Sequence, residues 1–257
     1  MIPEHRRSRI LAALGERQRL SVNDLAVELG VSRETVRRDL ARLQADGLLR
    51  KVHGGALPLP ADRPALDGHT AQQGFEGRLI GRAAAALVRP GDSLFIDAGP
   101  ATAGFAAALA GNGRRLTVIT NALQVAVALG RAPGEARLHL LGGALAPRGL
   151  ATAGAEVIER IAALRPDCAV LGAGAIDAGG QVYDFDPDEA AVARAMIRQA
   201  REVVLLADHT RFGRRALARV CHLRQVHRLV TDRAPVARRR ALLRRCGVEL
   251  VVASPED

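Results

Sequence analysis

At 257 residues, with 48% hydrophobic and 25% charged content, the chain is long enough to bury a core as one large or two smaller domains, which excludes wholesale disorder. Its apolar runs, such as 138–141 and 203–207, are too short to span a bilayer, and the basic start Met1 to Arg9 does not lead into the apolar stretch of a signal peptide; a soluble, cytoplasmic protein with no membrane partner is expected. The net charge of +10 is unevenly spread, since residues 210–245 hold 12 basic groups against one acidic group, and Lys51 is the single lysine. Arginine richness alone does not establish a nucleic-acid partner, so position along the chain has to.

Ile10, Leu11 and Leu14 recur at helical spacing before the polar stretch 15–19 interrupts them. Ser21 and Asp24 form a capping-box pattern ahead of Leu25, Ala26 and Leu29, Gly30 ends that helix, and Ser32 caps a third helix running to about Ala45. The run 48–52, the pair Gly54-Gly55 and the run 56–59 read as a β-hairpin. On a wheel of about 100° per residue, Val36, Leu40 and Leu43 fall within about 40° of one another, and Glu34, Arg38, Ala41 and Arg42 lie opposite, flanked by Thr35 and Arg37. Helix, tight turn and polar-capped basic helix is the helix-turn-helix layout, whose second helix enters the major groove of double-stranded DNA. The candidate DNA contacts are Ser32, Arg33, Glu34, Thr35, Arg37, Arg38 and Arg42, with Arg50, Lys51 and His53 on a hairpin wing.

Residues 58–74, rich in Pro, Gly, Asp and Gln, read as a linker between a DNA-binding domain over 1–57 and a larger domain over 75–257. In the larger domain, apolar runs at 93–97, 116–120, 138–141, 168–171, 203–207, 229–231 and 248–252 alternate with alanine-rich helical stretches, predicting an α/β domain with a mainly parallel sheet covered on both faces. Ligands of such sheets sit beyond the carboxyl ends of the strands. That places Asp97, Gly99, Thr120, Asn121, Gly142, Gly143, Gly172 and Asp208 along one crevice whose carboxylates, amides and glycines suit a hydroxyl-rich ligand.

Other patterns are bland. The run Asp184 to Glu189 could be read as paired carboxylates for acid–base chemistry or a metal site; more simply, Asp186, Pro187, Asp188 and Glu189 read as a capped helix start, with Glu189 also facing the crevice as the alternative. The cysteines Cys168, Cys221 and Cys246 include no metal-binding spacing, no third glycine completes a dinucleotide fingerprint after Gly174, and no cofactor, metal or catalytic group is expected. The basic run 210–245 reads as a solvated helix, or alternatively as a second DNA-facing or acidic-partner surface.

The stretch VSRETVRRDLARLQADGLLRKVHGGA (31–56) resembles the N-terminal signature of DeoR-type transcriptional repressors, and VRPGDSLFIDAG, LTVITNA, LHLLGG, EAAVARAMI and LLADHTRFG extend the likeness over nearly the whole chain. The resemblance implies a winged helix-turn-helix joined to a sensor domain similar in fold to sugar-phosphate isomerases and coenzyme A transferases. It also implies a homodimer or homotetramer that leaves operator DNA when a sugar-derived, often phosphorylated, metabolite binds. Where the family often carries hydroxyl residues and lysines, this chain has Pro100, Ala101, Gly77 and Ala193, keeping Thr102 and Arg211. The expected effector is an anionic sugar derivative held by Thr102, helix-start amides and Arg211. The competing expectation is a sugar-phosphate isomerase with an appended DNA-binding module.

Overall fold

The computed structural model describes residues 6, 7, 9, 10, 13, 14, 20–45, 49–52, 54–57, 71–111, 113, 115–132, 136–146 and 151–254. These form two compact units divided between Gln73 and Gly74. Among the described residues, no helix is long and apolar enough to cross a membrane.

In the smaller unit, helix α1 (Val22–Leu29) starts where the Ser21 hydroxyl accepts the Asn23 amide at 3.1 Å; Asn23, rather than the last residue of the expected capping box, supplies the donor. It stops at Gly30, whose φ of 65° lets the Val31 amide turn back onto the Ala26 carbonyl at 3.1 Å. Helix α2 (Arg33–Ala45) follows, and its Val36, Leu40 and Leu43 are fully enclosed with Ile10, Leu25 and Leu49. Each such side chain contributes about 1.5–3 kcal/mol by leaving water.

Strands β1 (Leu20–Ser21), β2 (Arg50–Val52) and β3 (Gly55–Leu57) make an antiparallel sheet in the order β1-β3-β2. The hairpin β2–β3 was expected, but its third strand was not. A Cβ at Gly55 would stand 1.9 Å from the Leu20 carbonyl oxygen, so this pairing requires glycine.

The larger unit carries helix α3 (Ala71–Ala86), which begins inside the stretch read as linker; residues 58–70 lie outside the described residues. Every apolar run expected as a strand belongs to one parallel sheet of seven strands: β4 (Ser93–Ile96), β5 (Thr117–Thr120), β6 (Arg137–Leu140), β9 (Cys168–Gly172), β12 (Glu202–Leu206), β14 (Arg228–Thr231) and β15 (Glu249–Val252). Their order is β15-β14-β12-β9-β4-β5-β6. The chain therefore starts at β4, runs outward to β6, returns to β9 at the other side of β4 and runs outward again to β15. The helices are α4 (Pro100–Ala110), α5 (Leu123–Gly130), α6 (Ala155–Ala162), α7 (Pro187–Gln199) and α8 (Ala237–Arg245).

Alternation along the strands feeds two cores. Leu94 and Ile96 pack with Ile80, Phe105 and Val125 on one face, while Phe95 packs with Ile161, Val192 and Met196 on the other. Helices α3 and α4 cross at backbone distance, because a Cβ on Gly81 would lie 2.4 Å from the Gly104 carbonyl carbon. Short antiparallel pieces complete the unit: β7 (Ala144–Leu145) with β8 (Thr152–Ala153), and β10 (Ala175–Ile176), β11 (Gln181–Asp184) and β13 (Ala218–His222) as a three-stranded sheet.

Candidate nucleic-acid interface and effector crevice

Helix α2 is primed at its start by the Ser32 hydroxyl, which accepts the Thr35 amide at 3.1 Å and lies 2.9 Å from the Thr35 hydroxyl. Glu34, Arg38, Ala41 and Arg42 are exposed on the side opposite the buried stripe, Arg33 and Arg37 are exposed nearer its edge, and Thr35 is half-buried. Arg37 stands 3.6 Å from Glu34 in an exposed pair that water weakens, so the guanidinium can be released to another partner. Asp39 breaks the outward pattern. It is buried and accepts from Arg6, with Nη2 3.2 Å from Oδ1, tying this helix to a residue 33 positions earlier.

The wing is fastened to the same helix by the Lys51 amide, which donates to Gln44 Oε1 at 2.9 Å; Lys51 itself is exposed. Arg50 occupies the first position of β2, and His53 lies outside the described residues.

In the larger unit the reversal of strand order falls between β4 and β9, the position where open α/β sheets leave a crevice. Asp97 and Gly172 close these two strands, and a Cβ on Gly172 would meet the Ala98 carbonyl oxygen at 3.8 Å. Gly99, with φ of 146°, turns the chain into α4.

The Asp97 carboxylate is buried and accepts the Ala98 amide at 2.7 Å. Burial, together with the nearby charges of Asp184 and Glu189, pushes its acid well above the usual carboxylate range. Burial likewise raises Asp184, which was not among the expected site residues. Asp208 moves the other way. Burial opposes its ionisation, but Arg211 and the Thr210 donors win and lower it; Arg211 Nε lies 2.8 Å from its Oδ2.

Thr120 and Asn121 sit at the end of β5, one strand from Asp97. The Thr120 hydroxyl donates to the Ile96 carbonyl at 2.7 Å, and Asn121 Nδ2 donates to the Thr152 carbonyl at 2.8 Å, leaving the buried Asn121 Oδ1 without a hydrogen bond.

Other expected residues stand differently. Thr102 is buried, with its hydroxyl engaged by the Gly99 carbonyl at 2.9 Å. Arg211 is engaged by Asp208. Gly142 and Gly143 follow the edge strand β6, two strands and about 10 Å from β4, where they line a groove with His139, Glu156 and Arg160. Asp186 does cap α7, accepting the Asp188 amide at 2.8 Å, while Glu189 is half-buried and close enough to act on Asp97.

Positions 77 and 193 are closely packed: a Cβ on Gly77 would stand 3.1 Å from the Pro100 carbonyl oxygen, a tight contact, and Ala193 is 2% exposed inside a hydrophobic core.

Beside the crevice, Glu76, Asp208 and His209 bring donor atoms within 4.8 Å of one another, a spacing that a cation could use. His209 Nδ1 is 2.7 Å from Asp232 Oδ2, and Arg233 Nε is 3.4 Å from the same carboxylate oxygen. With Arg211 on Asp208, the group forms a network of internal ion pairs. The sequence held no periodic signal for it, because its members come from three separate stretches. Cys168 and Cys221 are thiols pushed up to about 12 by burial, and Cys246 is half-buried at the end of α8. Neither shifted thiol is a nucleophile at neutral pH.

A DNA-reading helix above a small bundle, and an α/β unit with a polar crevice at its strand reversal, define a ligand-responsive DNA-binding regulator. The DeoR-like helix-turn-helix domain matches residues 6–59, and the DeoR C terminal sensor domain matches residues 74–233. The chain belongs to the DeoR family of transcriptional regulators. It is 34% identical to the HTH-type transcriptional repressor GlcR of Bacillus subtilis (strain 168), covering 100% of this chain and 99% of that protein. It is 33% identical to the glycerol-3-phosphate regulon repressor of Escherichia coli (strain K12), covering 90% of this chain and 91% of that protein. Among solved structures, ribose 5 phosphate isomerase A from Neisseria gonorrhoeae is similar at a TM-score of 0.39 and 13% identity, covering 55% of this chain and 54% of that one. Nothing about reaction chemistry follows from so partial a likeness.

Proposed function

We propose that this protein represses carbohydrate or polyol genes in the cytoplasm, with residues 1–57 holding operator DNA, 58–74 as a linker and 75–257 sensing a sugar-derived effector. The observation that carries the reading is the arginine face of α2 set over a fully buried stripe in a chain of this family. Ser32, Arg33, Glu34, Thr35, Arg37, Arg38 and Arg42 then meet the major groove, and Arg50, Lys51 and His53 the flanking backbone. A homodimer or homotetramer with two-fold pairing would set recognition helices about 34 Å apart or at a multiple of that. Genomic footprinting supplies the operator. On that site, Arg37→Ala and Arg38→Ala each weaken discrimination against a changed base by about 1–3 kcal/mol in gel-shift titrations, and unchanged affinity for both would overturn the assignment.

For the effector, charge decides. Asp97, Asp184, Glu189 and Asp208 surround the strand reversal, Arg211 is neutralised by Asp208, and Gly77 and Ala193 supply no cation. This favours a hydroxyl-rich sugar or polyol, bound by Asp97, Asp208 and the open acceptor of Asn121, over a phosphorylated one. Calorimetry with matched sugars and sugar phosphates tests this: binding of the neutral member, weakened at least tenfold by Asp97→Ala, is expected. Preference for the phosphate, abolished by Arg211→Ala, would restore the anionic reading. The protein acts without turnover in this scheme, and no conversion of pentose or hexosamine phosphates by the purified chain is the matching expectation.

A further inference from the structure

Helix α8 carries Arg238, Arg239, Arg240, Arg244 and Arg245 and no acidic residue. Only one of these arginines is built into the protein. Arg239 lies over the Phe212 ring at 5.3 Å from its centre and donates to the Phe212 carbonyl at 3.2 Å, on the same side as the buried Leu243. The other four are exposed. At about 100° per residue, Arg240, Arg244, Arg245 and Arg238 fan over about 160° of the face turned away from Leu243, with only the small residues Ala237 and Ala241 between them. Among the described residues, none of the four has a carboxylate or hydrogen-bond partner, whereas Arg228 on the neighbouring strand β14 is held between Glu202 and Glu249.

The arrangement opposes the electrostatics of an isolated helix. Its first turn places Arg238, Arg239 and Arg240 at the positive end of the helix dipole, its start at Val236 has no side-chain cap, and Arg240 and Arg244 repel at i,i+4. Helix α7 in the same unit follows the opposite rule, with Asp186 as cap and Asp188 and Glu189 in the first turn. An anionic partner relieves each of these repulsions at once. Guanidinium forks are suited to phosphate oxygens.

We infer that the outward face of α8 binds the phosphate backbone of double-stranded DNA without reading its sequence, adding a second DNA contact to that of α2. The inference rests on the DNA binding of this family and adds a surface that belongs to the sensor unit.

The test is a salt titration of the full chain on a random-sequence duplex and on the footprinted operator. Each phosphate neutralised contributes about 0.9 to the slope of log affinity against log salt. With four contacts, the quadruple variant R238Q/R240Q/R244Q/R245Q has a slope smaller by about 3.6 per chain, so between 50 and 200 mM salt the wild type loses about 10²-fold more affinity than the variant. The ratio of operator to random-sequence affinity stays as in wild type, because backbone contacts carry no base information. The corresponding four-lysine variant keeps the wild-type slope, and melting of the glutamine variant is unchanged or raised.

A wild-type slope in the glutamine variant overturns the inference, as does competition by polyglutamate as strong as that by random DNA. If the quadruple variant melts early, R238Q/R240Q alone, which removes charge from the unfavourable end of the helix, gives the same reading with half the change. Loss of discrimination in Arg37→Ala at unchanged slope is a separate outcome, so failure of the recognition-helix assignment and failure of this inference are distinguishable.

Discussion

In the smaller unit the groups proposed to meet DNA lie outside a buried stripe and close together in sequence: Arg37, Arg38 and Arg42 share one helix whose inner side is Val36, Leu40 and Leu43. In the larger unit the carboxylates gathered at the strand reversal come from three places, Asp97 from the turn after β4, Asp184 from β11 and Asp208 from the turn after β12. A charged surface needs only a helix to display it. A crevice of buried carboxylates needs the whole sheet to hold charges that repel one another, so stability and recognition are coupled there.

The sharpest way to separate the two is Leu40→Ala, which empties a fully buried position beneath the recognition helix and costs about 2–5 kcal/mol. Operator binding is expected to be lost while effector binding, followed by calorimetry, persists. Loss of both together would show that the units fold as one. Gly81→Ala addresses the larger unit. Its methyl would stand 2.4 Å from backbone atoms of Gly104 and Phe105, costing about 1–3 kcal/mol and lowering the melting temperature by roughly 2–4 °C per kcal/mol. Operator affinity without effector should be untouched, and an unshifted melt would mean that α3 and α4 do not approach as closely as described.

Asp97→Asn gives the smallest effect and the opposite sign. Because the folded protein raises the Asp97 pKa above its unfolded value of about 3.9, the stabilising contribution of the protonated acid is complete below that value and disappears as pH rises through the folded pKa. Asparagine escapes that loss. The variant should therefore melt higher than wild type at pH 8 and alike at pH 4, by roughly 2–4 °C per kcal/mol relieved. A lower melt at pH 8 would show that Asp97 is held ionised by a cation and would undo the acidic reading of the crevice.

The inner strands of the parallel sheet were legible because each is an apolar run buried on both faces, as with Leu94, Phe95 and Ile96, and the edge strands β6 and β15, though largely exposed, keep enough apolar residues to be read the same way. The antiparallel pieces were not. β10 spans two residues, and β11, besides its pairing with β10, finds its longer partner β13 by matching Gln181 with His222 across a long separation. The order of strands, and with it the crevice between Asp97 and Gly172, depends on which runs become neighbours, which no local periodicity records. The same holds for Asp39, whose place on a polar helix concealed a buried partner in Arg6. Asp184 was discounted with the rest of the run 184–189 because Asp186 so clearly caps a helix. Thr102 and Arg211 were singled out as ligand contacts because side-chain chemistry is visible in a sequence, whereas their prior engagement with Gly99 and Asp208 is not.

The unequal environments of the three sulfur atoms have a practical consequence. Two of them stay protonated until about pH 12, so a maleimide dye applied near neutrality would attach first at Cys246. A fluorophore there, one residue beyond Arg245, would sit at the rim of the arginine fan and sense a duplex arriving over it, giving an optical readout from the native polypeptide without an engineered handle.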